Sequence, residues 1–298
     1  MQKITPHLWF DKEAKEAAQF YTSVFPSSKI NSVTTLRDTP SGDCDVVSFE
    51  LAGQSFMSIS AGPYFKFTPA ISFMVACKTK DEVDSFWKKL NEGGQALMPL
   101  DQYPFSERYG WTQDKYGLSW QIMHYPGEIK QKITPVLMFV GEVAGKAEEA
   151  MRFYTSLFKD SSIGDIMRYG NDKAPDPEGT VAYASFNLAG QEFGAMDSAH
   201  EHHFNFNEAV SLMVHCKDQQ EIDHYWEKMS AVPEAEQCGW LKDRFGVSWQ
   251  ITPASMEQMM TDKDPARAAR VTQAFLKMKK FDLAELERAY RGEVGVPS

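Results

Sequence analysis

Apolar and polar positions alternate along this chain in short runs broken by longer helical stripes. ITPHLWF at 4–10 alternates into a strand, and EAKEAAQFYTSVF then sets Ala17, Phe20, Tyr21 and Val24 on one helical stripe until Pro26 stops it. Three strands are predicted near 30–36, 44–51 and 54–60, the last two joined by a tight turn through Ala52 and Gly53. The apolar run ISFMVAC at 71–77 opens a second strand and helix. There Thr79 is the candidate N-cap, Glu82 completes a capping box, and Val83, Phe86, Trp87 and Leu90 form the buried stripe. Strands near 96–100, 108–113 and 118–124 close the pattern, so the rhythm is strand, helix and three strands, written twice.

The whole pattern then returns. ITPHLWF reappears as ITPVLMF at 133–139, SFELAGQSFMSIS as SFNLAGQEFGAMD, and ISFMVACKTKDEVDSFWKKL as VSLMVHCKDQQEIDHYWEKM. EAAQFYTSVFPSSKI and EAMRFYTSLFKDSSI share nine of fifteen positions, and DKYGLSWQI is answered by DRFGVSWQI. Six of the seven tryptophans have partners in this register and only Trp9 stands alone, so most of the tryptophan content is first a packing solution. Two domains follow, at 1–126 and 131–253, joined by the short polar YPGEIKQK, which favours packing of the copies on one another. Beyond them, 254–298 does not repeat. It is expected to hold two helices, one with Val271, Ala274, Phe275 and Met278 on its stripe and one after Asp282 with Leu283 and Leu286 inward.

Composition narrows the function classes. With 298 residues and 43% hydrophobic content the chain can supply a core for each copy. Its formal charge of -10 offers no long-range attraction to nucleic acid or an anionic membrane surface, so neither partner is expected. The opening segment has no basic stretch followed by an apolar signal core, and no window approaches a membrane span, which makes cytoplasmic residence the expectation. The four cysteines form no CxxC pair, and Cys77 and Cys216 sit inside apolar strands as reduced core thiols. HEHH at 200–203 offers metal-ligand types without the spacing of a helical HExxH pair, and reads as a solvated loop.

The landmarks ITPHLWF, EAAQFYTSVFP, ISFMVAC and GWTQDKYGLSWQI, followed by ITPVLMF, EAMRFYTSLF, VSLMVHC and GWLKDRFGVSWQI, resemble the glyoxalase-like, or vicinal oxygen chelate, superfamily. Within it they are most similar to the PhnB-like branch, labelled 3-demethylubiquinone 3-methyltransferase. The resemblance implies an α+β fold of tandem glyoxalase-like domains, each built from two βαβββ modules, plus a helical C-terminal tail. Paired modules in this superfamily curl their strands around a cup, giving this chain four modules and two cups. Single-copy relatives often dimerise with strands crossing between subunits, and this chain can hold a comparable pair covalently, while a homodimer of the whole chain stays open.

Metal-dependent members place ligands on the first strand of each module and a Glu four residues beyond the last turn Gly. Here those last positions are Gln121 and Gln250, which bring no negative charge to a divalent ion. By strand parity Thr5, His7 and Trp9 share a face with Ala70, Ser72, Met74 and Ala76, and Thr134, Val136 and Met138 share one with Ala209, Ser211, Met213 and His215. Neither set supplies a His/His/Glu triad, so neither a metal nor another cofactor is expected. His7 and His215 are the candidate acid/base residues. A first-copy pocket of His7, Trp9, Arg108 and Gln121 is the leading ligand site, with Tyr103 and Phe105 closing over it and Gln250 the counterpart of Gln121. The partner expected is a small organic molecule, bound in one cup. The alternative is a glyoxalase-like lyase, isomerase or group-transfer enzyme, the labelled methyl transfer included, although no GxGxG-type loop cradles a nucleoside cofactor.

Overall fold

A computed structural model describes residues 2–293. The first repeat forms β1 (Ile4–Phe10), α1 (Ala14–Val24), β2 (Lys29–Thr39), β3 (Gly42–Leu51) and β4 (Gln54–Ser60), then β5 (Ile71–Cys77), α2 (Lys80–Leu90), β6 (Gln95–Tyr103), β7 (Ser106–Gln113) and β8 (Ser119–His124). The second repeat forms β9 (Ile133–Phe139), α3 (Ala147–Leu157), β10 (Ser162–Arg168), β11 (Val181–Leu188) and β12 (Gln191–Asp197), then β13 (Val210–Cys216), α4 (Gln219–Met229), β14 (Trp240–Lys242) and β15 (Ser248–Pro253). The tail adds α5 (Met256–Met260), α6 (Pro265–Phe275) and α7 (Leu283–Arg291). One module is abbreviated: after α4 a single 3-10 turn at Pro233–Ala235 occupies the stretch that holds β6 in the first repeat.

The local chemistry that repeats in sequence repeats in structure. Thr79 and Asp218 cap α2 and α4 by accepting from the Glu82 and Glu221 amides. In DKYGLSWQI, Asp114 accepts from the amides of Tyr116 and Leu118 with one oxygen and from the Trp120 indole at 2.8 Å with the other. Asp243 does the same for Phe245, Val247 and Trp249. Gly117 and Gly246 turn these loops at φ near +87° and +88°, a region that a side chain would strain. The two tryptophans have no exposed surface, and deleting either would cost about 3–5 kcal/mol.

The compact units cut across the repeats. The described residues of Met1–Ser23, Ser27–Phe65 and Asn207–Ser298 make the first unit, and Val24–Pro26 with Lys66–Phe206 make the second. In the first, seven strands run in the order β14-β15-β13-β1-β4-β3-β2, and in the second, eight run β10-β11-β12-β9-β5-β8-β7-β6. The seam of each sheet is an antiparallel pair drawn from both repeats: β1 on β13, with His7 opposite Ser211, and β9 on β5, with Val136 opposite Ser72. The parity sets read from sequence are therefore exchanged. Thr5, His7 and Trp9 share their face with Ser211, Met213 and His215, because β1 bonds to β13 rather than to β5. A lysine clips each seam. Lys3 reaches the His215 carbonyl and Glu221, both at 2.8 Å, and Lys132 reaches the Ala76 carbonyl and Glu82, both at 2.6 Å.

The tail completes the first unit where the abbreviated module leaves off. The Cys238 and Gly239 amides donate to the carbonyls of Met278 and Lys279, at 2.8 Å each, so the chain after α6 lies along the segment leading into β14. Gly239 is required there: its φ is +82°, and an added Cβ would stand 2.6 Å from the Phe281 ring. Met259, Val271, Phe281 and Leu286 form a small buried core of the tail itself. Among the described residues no helix is long and apolar enough to cross a membrane.

Candidate ligand cup

The sheet of the first unit leaves an opening on the face carrying His7. Registers place Met57 beside His7 across β4 and β1, Met213 beside Gln250 across β13 and β15, and Trp240 beside Gln250 across β14 and β15. These side chains, with Trp9, Val46 and Cys238, line a cavity of about 480 Å³. The tail closes part of it through Met256, Met260 and Phe275. The cavity size falls in the range of small-molecule sites, and its walls are mostly apolar, as such sites are.

His7 is the polar feature of this wall. It is 4% exposed, its ring meets Trp240 edge-on at 5.5 Å, and its Nδ1 is the buried side-chain polar atom without a hydrogen-bond partner among the described residues. Burial pulls its imidazole down to about 3, so at neutral pH it is uncharged. His215 also lines the cavity, with Nε2 2.9 Å from the Thr5 hydroxyl. Burial first, and then the neighbouring Lys3 charge, lower it to about 4. Gln250 donates from Nε2 to Ser211 Oγ at 2.9 Å, and the Trp9 indole donates to the Gly62 carbonyl at 2.8 Å.

The second unit builds the same framework and sets two tyrosines against it. Gln121 donates to Ser72 Oγ at 2.8 Å, as Gln250 does to Ser211, but its Oε1 accepts from the Tyr109 phenol at 2.7 Å. Tyr109 is buried, and Phe105 and Tyr103 pack on it with ring centroids 4.9 and 5.6 Å away. Tyr183 lies across Gly194, where a Cβ would come within 3.0 Å of its hydroxyl oxygen, and its hydroxyl faces the Met74 sulfur at 3.9 Å. Burial raises both phenols, Tyr183 to about 12 and Tyr109 further, so both are neutral donors.

Of the residues expected to form one first-copy pocket, His7 and Trp9 belong to the first unit, whereas Arg108, Gln121, Tyr103 and Phe105 belong to the second. The exchange of strands separates them. Arg108 is paired with Asp84 at 2.6 Å rather than offered to a ligand, and Tyr103 and Phe105 cover Tyr109. His7, Trp9, His215 and Gln250, two from each repeat, come together in the cavity. Sequence reasoning passed over Trp240, set aside because it has a repeat partner, and the tail residues. The usable signal was asymmetry, since His7 and Trp9 are Val136 and Met138 in the second copy.

The donor set does not fit a divalent metal. The first-unit cavity offers the imidazoles of His7 and His215, an amide already bonded to Ser211 and the thioethers of Met57 and Met213, while its carboxylates are Glu208, paired with Lys242, and the exposed Glu234 and Glu257. The second offers Val136, Met74 and Gln121. Among the described residues no group of three or more His, Cys, Asp or Glu side chains is arranged to hold an ion, and at HEHH, His202 bonds to Ser198 while His200 lies near Asp176.

The family model described as 3-demethylubiquinone-9 3-methyltransferase matches residues 2–123 and again 131–252. The chain belongs to that family, as two tandem copies. A solved PhnB protein from Bacillus cereus, described under the same methyltransferase name, is 43% identical over 42% of this chain and 100% of its own length, with a TM-score of 0.39. Glyoxalase I from Zea mays is 10% identical, yet it covers 88% of this chain and 98% of its own at a TM-score of 0.52, which shows the shared fold. No curated protein matches the chain.

Proposed function

We propose that the first unit binds a small organic molecule in its cup and does so without the superfamily's metal. The observation that supports this most directly is the cavity of about 480 Å³, mostly apolar, with the uncharged His7 ring among Trp9, Met57 and Trp240 in its wall. A neutral imidazole has one acceptor nitrogen, and a ligand N–H or O–H bonded to it would contribute about 0.5–1.5 kcal/mol. The depressed imidazoles of His7 and His215 suit hydrogen bonding better than proton transfer near pH 7, where an efficient acid or base titrates close to the working pH. For the methyl transfer in the family's description, the two repeats and the tail include no glycine-rich loop after an early strand to cradle a nucleoside. Both cups draw strands from both repeats, so a homodimer is not needed to complete either.

The test compares 2-naphthol, which carries a donor, with naphthalene, which does not, by calorimetry. The wild type is expected to favour the naphthol by about tenfold, and His7→Val to erase that preference. Absence of binding by both probes, or a divalent ion held through chelator dialysis and lost in Gln250→Ala, would overturn the reading.

A further inference from the structure

The walls of this cup also state what charge it accepts. Trp9, Trp240 and Phe65 all line it, and their rings meet at steep angles: Trp9 and Phe65 at 83° with centroids 5.1 Å apart, Trp9 and Trp240 at 75° and 6.0 Å. Aromatic rings clustered in a cavity wall favour a desolvated cation over any face open to it, especially one too alkylated to demand hydrogen bonds. The ionisable groups of the lining agree. Glu208, Glu234 and Glu257 belong to it, and among the described residues it contains no Lys or Arg. Glu208 is shared with Lys242 at 2.8 Å, while Glu234 and Glu257 are exposed. An anion entering would meet two carboxylates, Glu234 and Glu257, with no Lys or Arg in the lining, whereas an ammonium group would be drawn in and then held by the rings.

We infer that the ligand is an organic cation, an alkylated ammonium carried on an apolar body, seated against Trp9, Trp240 and Phe65. This rests on the binding reading of the same cavity and adds the charge of its occupant. The uncharged His7 ring lies in the same wall and offers its acceptor nitrogen to a hydroxyl or N–H elsewhere on the molecule.

The experiment titrates the full chain with benzyltrimethylammonium, its neutral isostere neopentylbenzene, and the anion 3-phenylpropionate, following tryptophan fluorescence and heat. The cation is expected to bind about tenfold more tightly than the isostere, with the anion weakest. Trp240→Leu and Trp9→Leu should each reduce the cation to the level of the isostere, while Trp9→Phe, which keeps a ring and guards against misfolding, should retain most of the preference. Glu257→Gln should weaken the cation about twofold at low salt and leave the isostere unchanged. Equal binding of cation and isostere, or tightest binding of the anion, overturns the cation inference and leaves a neutral or anionic ligand in the cup. Absence of binding by all three, together with both naphthalene probes, overturns the cup itself.

Discussion

Val46 faces the first cup where Tyr183 lies across the second, Cys238 stands where Tyr109 stands, and His7 where Val136 stands. The two units share a strand order around their seams, the same glutamine-to-serine bond and the same lysine clip. They differ in what projects from the framework. The second unit satisfies its glutamine internally through a phenol, while the first has Val46 and Cys238 where the second has Tyr183 and Tyr109, and a histidine nitrogen with no internal partner. A duplicated scaffold can thus devote one half to stability and leave the other half open, because packing and binding compete for the same face of the sheet.

That contrast can be broken at four places. The largest effect is expected from Tyr109→Ala in the second unit, where loss of a buried aromatic and its bond to Gln121 should cost about 3–5 kcal/mol in urea unfolding. If the variant stays folded, calorimetry should report a second binding equivalent. Next, Val46→Tyr combined with Met57→Gly would copy the second unit's filling into the first. The double variant is expected to lower 2-naphthol affinity by about a hundredfold with a stability change of no more than about 1–3 kcal/mol, and unaltered binding would place the ligand elsewhere.

His7→Val makes the first cup resemble the second at its polar position. It should gain about 1 kcal/mol at pH 7 by removing an unpaired buried group. It should also change the acid limb. His7 titrates near 3 and His215 near 4 when folded, against about 6.5 unfolded, so the unfolded chain binds more protons between these values. Their contribution to stability is complete above pH 6.5 and is lost as pH falls towards 3–4. The slope of unfolding free energy near pH 5 should drop by about one proton in the variant. The smallest effect belongs to Arg108→Ala. Its pair with Asp84 is partly exposed, so stability should move by about 0.5 kcal/mol or less and binding in the first cup should not move at all.

Much of the architecture was readable in advance. The stripes of α1 and α2, the Thr79 cap and the strands ending in SWQI follow from spacing and turn chemistry within a few residues of one another, where local preference decides. The site was only half readable. His7 and Trp9 were visible as departures from the repeat, and Gln250 as a counterpart of Gln121. Their grouping depended on which strand β1 would meet. Trp240 was hidden by its own repeat partner, Phe275 by lying on a tail stripe whose target does not show in the sequence, and Met256 by lying in a short third tail helix, Met256–Met260, beyond the two expected.

The sequence by itself determined the modules, their order and the absence of a carboxylate at Gln121 and Gln250. Only the tertiary structure decided that β1 pairs with β13 and β5 with β9. The physical reason is degeneracy. β5 and β13 carry nearly the same apolar alternation, so either offers β1 an equivalent hydrogen-bonding edge and an equivalent buried face. A choice between equal local partners is settled by the whole chain's connections, and with it the one cup in which His7, Trp9, His215 and Gln250 meet.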